Sequence, residues 1–111
     1  MTAHPYSLTR RTLGRLACAV VHPTDPALPI RSLAVFCHGF GAGGDDLLGL
    51  GGELLHSASL DAGTMMVFPA APLELDDQGI PGGRAWWLLS IQRLVSAMEQ
   101  GQFELIREEV P

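Results

Sequence analysis

The stretch LAVFCHGFGAGGDDLLGLGG, at residues 33–52, changes character twice, and those changes decide the fold. Leu33, Ala34, Val35, Phe36 and Cys37 form an unbroken apolar run, which predicts a strand buried on both faces. The run stops at His38. Five of the next seven positions, HGFGAGG at 38–44, are Gly or Ala, so the backbone there adopts positive φ or comes close to something. Asp45 and Asp46 then open a predicted helix, where acidic side chains suit the positive end of the dipole. Leu47, Leu50 and Leu54 recur at i, i+3 and i+7, and Leu48 and Leu55 widen that stripe. Gly49, Gly51 and Gly52 each cost the helix about 1 kcal/mol relative to Ala, so it depends on packing against a sheet. After a turn at 61–64, Met65, Met66, Val67 and Phe68 predict a second buried strand, ended by Pro69. Two buried strands joined by a helix predict parallel pairing and a right-handed crossover.

Upstream, TLGRLACAVV at 12–21 predicts a single strand ending at His22-Pro23, and the proline-rich PTDPALP at 23–29 predicts an irregular connector. Downstream, 69–83 reads as one long loop, a length that compact domains reserve for function or leave disordered. Ile91, Leu94, Val95 and Met98 then fall at helical spacing with Gly101 as the stop. Phe103, Leu105, Ile106 and Val110 make a second amphipathic piece. Two parallel strands and one N-terminal strand cannot make a covered α/β sheet. The expected organisation is one partial domain over 1–111, the N-terminal half of a larger α/β unit.

Composition agrees with a globular class. The chain has 111 residues, 47% hydrophobic and 17% charged, which suits one domain and excludes disorder. Its 13 glycines and 8 prolines make it rich in turns. The net charge is −5 with no lysine, and beyond Arg10–Arg11 no basic cluster exists, so nucleic acid is excluded as a partner. Cys18 and Cys37 lie in apolar runs and are expected as buried thiols in a reducing compartment. No run reaches the ~18 apolar residues of a membrane span. Thr9-Arg10-Arg11-Thr12-Leu13 lacks the apolar region and cleavage site of an export signal, so the expected location is cytoplasmic.

The glycine loop admits two chemistries. Gly39-Phe40-Gly41-Ala42-Gly43-Gly44 satisfies the G-x-G-x-x-G pattern of dinucleotide binding. That chemistry also needs an acid at the end of the second strand, where this chain has Val67-Phe68-Pro69. The other is acyl transfer, in which backbone N–H groups of a glycine-rich turn stabilise a tetrahedral oxyanion. Three phrases in order carry a resemblance. They are His38-Gly39-Phe40-Gly41 after an apolar strand, Phe68-Pro69-Ala70-Ala71-Pro72 closing the next strand, and Ala85-Trp86-Trp87 after a loop. Over 33–87 the chain resembles the phospholipase/carboxylesterase family of α/β-hydrolases, relatives of acyl-protein thioesterases.

The resemblance implies a parallel-sheet three-layer sandwich, incomplete in this chain, and hydrolysis of a small carboxylic ester or thioester without a cofactor. It assigns the Phe40 backbone N–H as an oxyanion donor and Gly39 and Gly41 as the residues that let substrate approach. It makes His38 a structural residue of the loop and sets Trp86 and Trp87 at the acyl pocket, where a core-anchor role is equally open. His4, His22 and His56 have no catalytic part in it. His38, His56, Asp45 and Asp46 show no metal-ligand spacing. The chain departs from the family in one respect. No G-x-S-x-G surrounds any of its serines, so nucleophile, acid and base are all missing and this segment alone is expected to be inert. The C-terminal half of the same domain would supply them. A dinucleotide module, or a non-catalytic fragment that completes its sheet with another chain, are the alternatives.

Overall fold

Gly14 takes φ +61° in the computed structural model, and the chain reverses there. The structure describes residues 6–57, 61–107 and 111. Where the sequence predicts one strand over 12–21, there are two: β1 (Tyr6–Leu13) and β2 (Leu16–Pro23), antiparallel with Leu13 opposite Leu16. A two-residue connection with positive φ matches the twist of such a hairpin. Gly14 therefore divides the apolar run that the sequence presents as continuous.

β3 (Ser32–Val35) and β4 (Thr64–Pro69) pair in parallel, with Val35 opposite Val67. β4 also pairs antiparallel with β2, Val20 opposite Val67. The sheet order is β1-β2-β4-β3. The sheet is thus mixed, not parallel, and the molecule is a small mixed α/β domain.

α1 (Leu48–His56) connects β3 to β4. It begins after the predicted Asp45–Asp46, because those residues lie in a turn in which the Leu48 N–H donates to the Asp45 carbonyl. Its packing face is Leu47, Leu48, Gly51 and Leu55, while Leu50 points to solvent. Gly51 sets this phase. A Cβ there would stand 2.6 Å from Phe68 Cζ and 3.3 Å from Met66 Sδ. Phe68 has little room to yield, since it is fully buried and stacked on Phe36 with ring centroids 4.8 Å apart.

β3 is an edge strand, and this overturns its expected burial on both faces. Ala34 and Phe36 pack on the α1 side, so by alternation Leu33, Val35 and Cys37 face the other way. Leu33 is 62% and Val35 54% exposed, and the Cys37 thiol is exposed too, unlike the buried Cys18. On that face Cys18, Val20 and Val67 form a small buried cluster flanked by Leu16 and Met65.

The segment read as one long loop is ordered. β5 (Leu73–Glu74) and β6 (Arg84–Ala85) form an antiparallel ribbon around a 3-10 turn at Asp76–Gln78, and Leu75 is fully buried. The Gly82 N–H donates to Asp76 Oδ1 at 2.7 Å and the Leu75 N–H to the Gly83 carbonyl. These contacts cross the turn, so no local pattern announces them. α2 (Ile91–Glu99) is capped by Ser90, whose hydroxyl accepts the Arg93 N–H, and ends before Gly101 at φ +68°. It packs against α3 (Glu104–Arg107). Val95, Met98 and Phe103 are exposed. The side chains of Ile91, Leu105 and Ile106, and all of Val110 and His4, lie outside the described residues. Among the described residues no helix is long and apolar enough to cross a membrane. The radius of gyration, 17.7 Å, exceeds the about 13 Å of a compact chain of this length.

The α1 glycines give substitutions of opposite sign. Gly51→Ala should destabilise by about 1–3 kcal/mol, because the new methyl overpacks against Phe68. Gly49→Ala and Gly52→Ala meet nothing within 4 Å and should each stabilise by about 0.5–1 kcal/mol. Urea midpoints of the three variants check this, and a uniform sign would refute the packing assignment.

Candidate functional site

β3 hands the chain to the glycine loop through one more ladder bond, the Phe36 N–H to the Val67 carbonyl at 2.9 Å. His38 follows, 3% exposed. Its Nδ1 lies 2.8 Å from the Gly39 carbonyl, and its Nε2 lies 3.0 Å from the Ala71 amide. A carbonyl only accepts and an amide only donates, so Nδ1 carries the proton and Nε2 is the acceptor. Both nitrogens are committed to backbone. The His38 carbonyl in turn accepts the Trp86 indole N–H at 2.8 Å, and the indole and imidazole ring centroids lie 5.4 Å apart.

A second clasp holds the far side of the loop. The Gly41 N–H donates to the Arg84 carbonyl and the Arg84 N–H to the Ala42 carbonyl, both at 3.0 Å. Gly41 has φ +86°, which a residue with a side chain rarely adopts. The Ala42 N–H closes a turn onto the Gly39 carbonyl at 3.2 Å. Arg84 also donates through its guanidinium to the carbonyls of Ala71 and Pro72. Its structural part was hidden in the sequence, since nothing local marks an arginine as a donor to a segment thirteen residues upstream.

Among the described residues the loop amides of Gly39, Phe40, Gly43, Gly44 and Asp45 have no acceptor. Phe40 borders a cavity of about 190 Å³, with His38, Gly39, Trp86, Trp87 and Leu89 around it. Of the residues singled out in the sequence, His38, Gly39, Phe40, Trp86 and Trp87 therefore come together. Gly41 does not line the cavity, because its N–H is turned to Arg84. Leu89 joins the site without any sequence signal beyond being apolar. Trp86 is half-buried and fixed by its hydrogen bond, while Trp87 is 38% exposed. Within the G-x-G-x-x-G turn the amides of Gly41 and Ala42 are taken, while those of Gly43 and Gly44 are not.

A larger space of about 450 Å³ lies between the β1–β2 hairpin and Gly43–Gly44, floored by Ala17, Ala19, Phe68 and Ala70. Arg10 closes part of it by a bidentate pair to Asp45 at 2.6 and 2.8 Å. That hydrogen bond holds the Asp45 carboxyl below its usual range. Arg11 and Thr12 also line this space, but the residues singled out in the sequence gather at the smaller cavity beside Phe40, which is therefore the candidate site.

No family model, curated protein or solved structure matches the chain. The functional reading therefore rests on the residues and the geometry.

Two outcomes follow from these contacts. His38→Ala should destabilise by about 2–4 kcal/mol, since it orphans the buried Ala71 N–H and removes ring packing. Trp86→Phe, which removes one hydrogen bond, should cost about 0.5–1.5 kcal/mol. Asp45 behaves differently. Its folded-state carboxyl titrates below the unfolded one, so its contribution is present above about pH 4 and fades as pH falls through the folded value. The pair is more than half exposed, so the contribution is small. Wild type should exceed Asp45→Asn slightly at pH 7, and the gap should close on acidification in parallel thermal melts.

Proposed function

We propose that this segment is the oxyanion-binding half of a serine ester or thioester hydrolase of the α/β-hydrolase class, resembling the phospholipase/carboxylesterase family. The observation that carries the reading is the open Phe40 N–H, held at the mouth of an apolar cavity in the loop between the third strand and the first helix. α/β-Hydrolases draw one oxyanion donor from that connection and the other from the residue after the nucleophile. His38, Trp86 and Arg84 fix the loop from both sides, which favours a donor that needs no reorganisation when charge develops.

In this reading the serine, acid and histidine lie beyond residue 111, and the open edge of β3 receives the next strand. The serine oxygen attacks the ester carbonyl while the histidine takes its proton. The carbonyl oxygen becomes the oxyanion and accepts the Phe40 N–H. Collapse expels the alcohol or thiol, protonated by the histidine, and water then releases the acid by the same steps in reverse roles.

The test is hydrolysis of a short-chain p-nitrophenyl ester by this chain, by the chain extended through the residues that follow it in its reading frame, and by that longer protein carrying Gly39→Val. The 111-residue chain should be inert and the longer protein active and sensitive to a serine-directed phosphonate. A Cβ on Gly39 meets nothing within 4 Å, so Gly39→Val should keep its melting temperature while crowding the substrate at Phe40. Turnover should fall about a hundred- to a thousand-fold, the scale of one lost oxyanion donor. Unchanged turnover in that variant, or phosphonate-resistant turnover by the short chain, would refute the assignment.

A further inference from the structure

We infer that the cavity beside Phe40 selects a compact, uncharged acyl group, with Trp87 and Leu89 setting its length limit; this rests on the ester-hydrolase reading above. The chemistry of the lining excludes a charged group. Phe40, Trp86, Trp87 and Leu89 are apolar surfaces, Gly39 adds backbone, and both nitrogens of His38 are already bonded. A cation entering here would lose its hydration without gaining a partner, and a carboxylate would find backbone amides but no cationic side chain in the lining. The open polar groups at hand are the Gly39 and Phe40 amides, which suit a carbonyl oxygen.

Size follows from the volume. A dry cavity of about 150 Å³ holds a benzene ring, so about 190 Å³ holds a benzoyl-sized group or a chain of about four to six carbons. One wall is rigid. Trp86 is tied to the His38 carbonyl and packed on its ring, so it cannot swing aside for a longer chain. Trp87, which is 38% exposed and among the described residues makes no hydrogen bond to the loop, and Leu89 complete the lining. Any gain in acyl length has to come from that side.

Methyl ketones test this without a nucleophile, because they present the carbonyl and cannot be hydrolysed. The chain contains two tryptophans, so 5-fluorotryptophan labelling gives two ¹⁹F resonances, assigned with Trp87→Phe. Hexan-2-one should shift the Trp87 resonance saturably, and decan-2-one should bind no more tightly. An unbounded apolar surface would instead tighten about fourfold per added methylene. In Trp87→Ala, decan-2-one should gain at least tenfold, and Leu89→Phe should weaken hexan-2-one. Affinity climbing with every methylene in the wild type, absence of a saturable hexan-2-one shift, or a length limit unchanged in Trp87→Ala would each overturn the inference. Turnover by the longer protein is read separately, so failure of the size limit and failure of the hydrolase reading are distinguishable.

Discussion

One imidazole joins three segments that are distant in sequence. His38 bonds its own loop through Gly39, the strand-end segment through Ala71, and the aromatic segment through its carbonyl and Trp86. Ala71 is fully buried, so its amide has no water to turn to and the ring is its only plausible acceptor in that position. A side chain that carried a donor at Nε2 would set two protons against each other. The neutral ring in this tautomer holds the near side of the loop at Gly39 and Ala71, and the Arg84 backbone holds its far side at Gly41 and Ala42.

Around that point, what was legible in the sequence depended on whether the controlling contact was local. The strand-loop-helix-strand order over 33–69 could be read because apolar runs, glycines and leucine spacing report it directly. His38, Gly39, Phe40, Trp86 and Trp87 could be gathered into one candidate site because three short phrases fell in the same order as in a known family. The β1–β2 hairpin could not be read, since Gly14-Arg15 lacks the Asn-Gly or Asp-Gly signature and apolar residues continue beyond it. The burial of β3 was misjudged for a different reason. An apolar run reports that side chains favour burial, and it does not say whether a layer exists to bury them. The order within 69–85 was invisible because its bonds run from Leu75 to Gly83 and from Asp76 to Gly82. Gly41 takes positive φ and turns its N–H to Arg84, and a glycine needed for positive φ looks the same in sequence as one needed for access.

The sheet is asymmetric in a way that bears on the site. Its α1 face is packed from Ala19 through Phe68 to Phe36, and that face carries the close approach at Gly51. The opposite face leaves Leu33 and Val35 uncovered on an edge strand without charge or proline between residues 32 and 37. Sheet edges of stable monomers are usually blunted by such residues. The β1 edge at the other side of the sheet is so guarded, by Arg10 and Arg11. Protection is thus placed on one margin and absent from the margin that leads into the candidate site.

The parallel pairing of β3 with β4 also shapes how the chain reaches its fold. Ser32 stands opposite Thr64, thirty-two positions later, and the intervening chain contains the whole glycine loop. The β1–β2 hairpin closes over two residues and belongs to the microsecond class of events. The β3–β4 ladder has to wait for a long closure whose entropy is greatest where glycines are most frequent. The β2–β4 ladder is less local still, with Val20 opposite Val67 forty-seven positions later, and the loop that carries Phe40 is clasped by Arg84, farther along again. The flexibility that lets the loop bend so sharply thus has a cost in time, because its final shape waits on contacts between segments far apart in the chain.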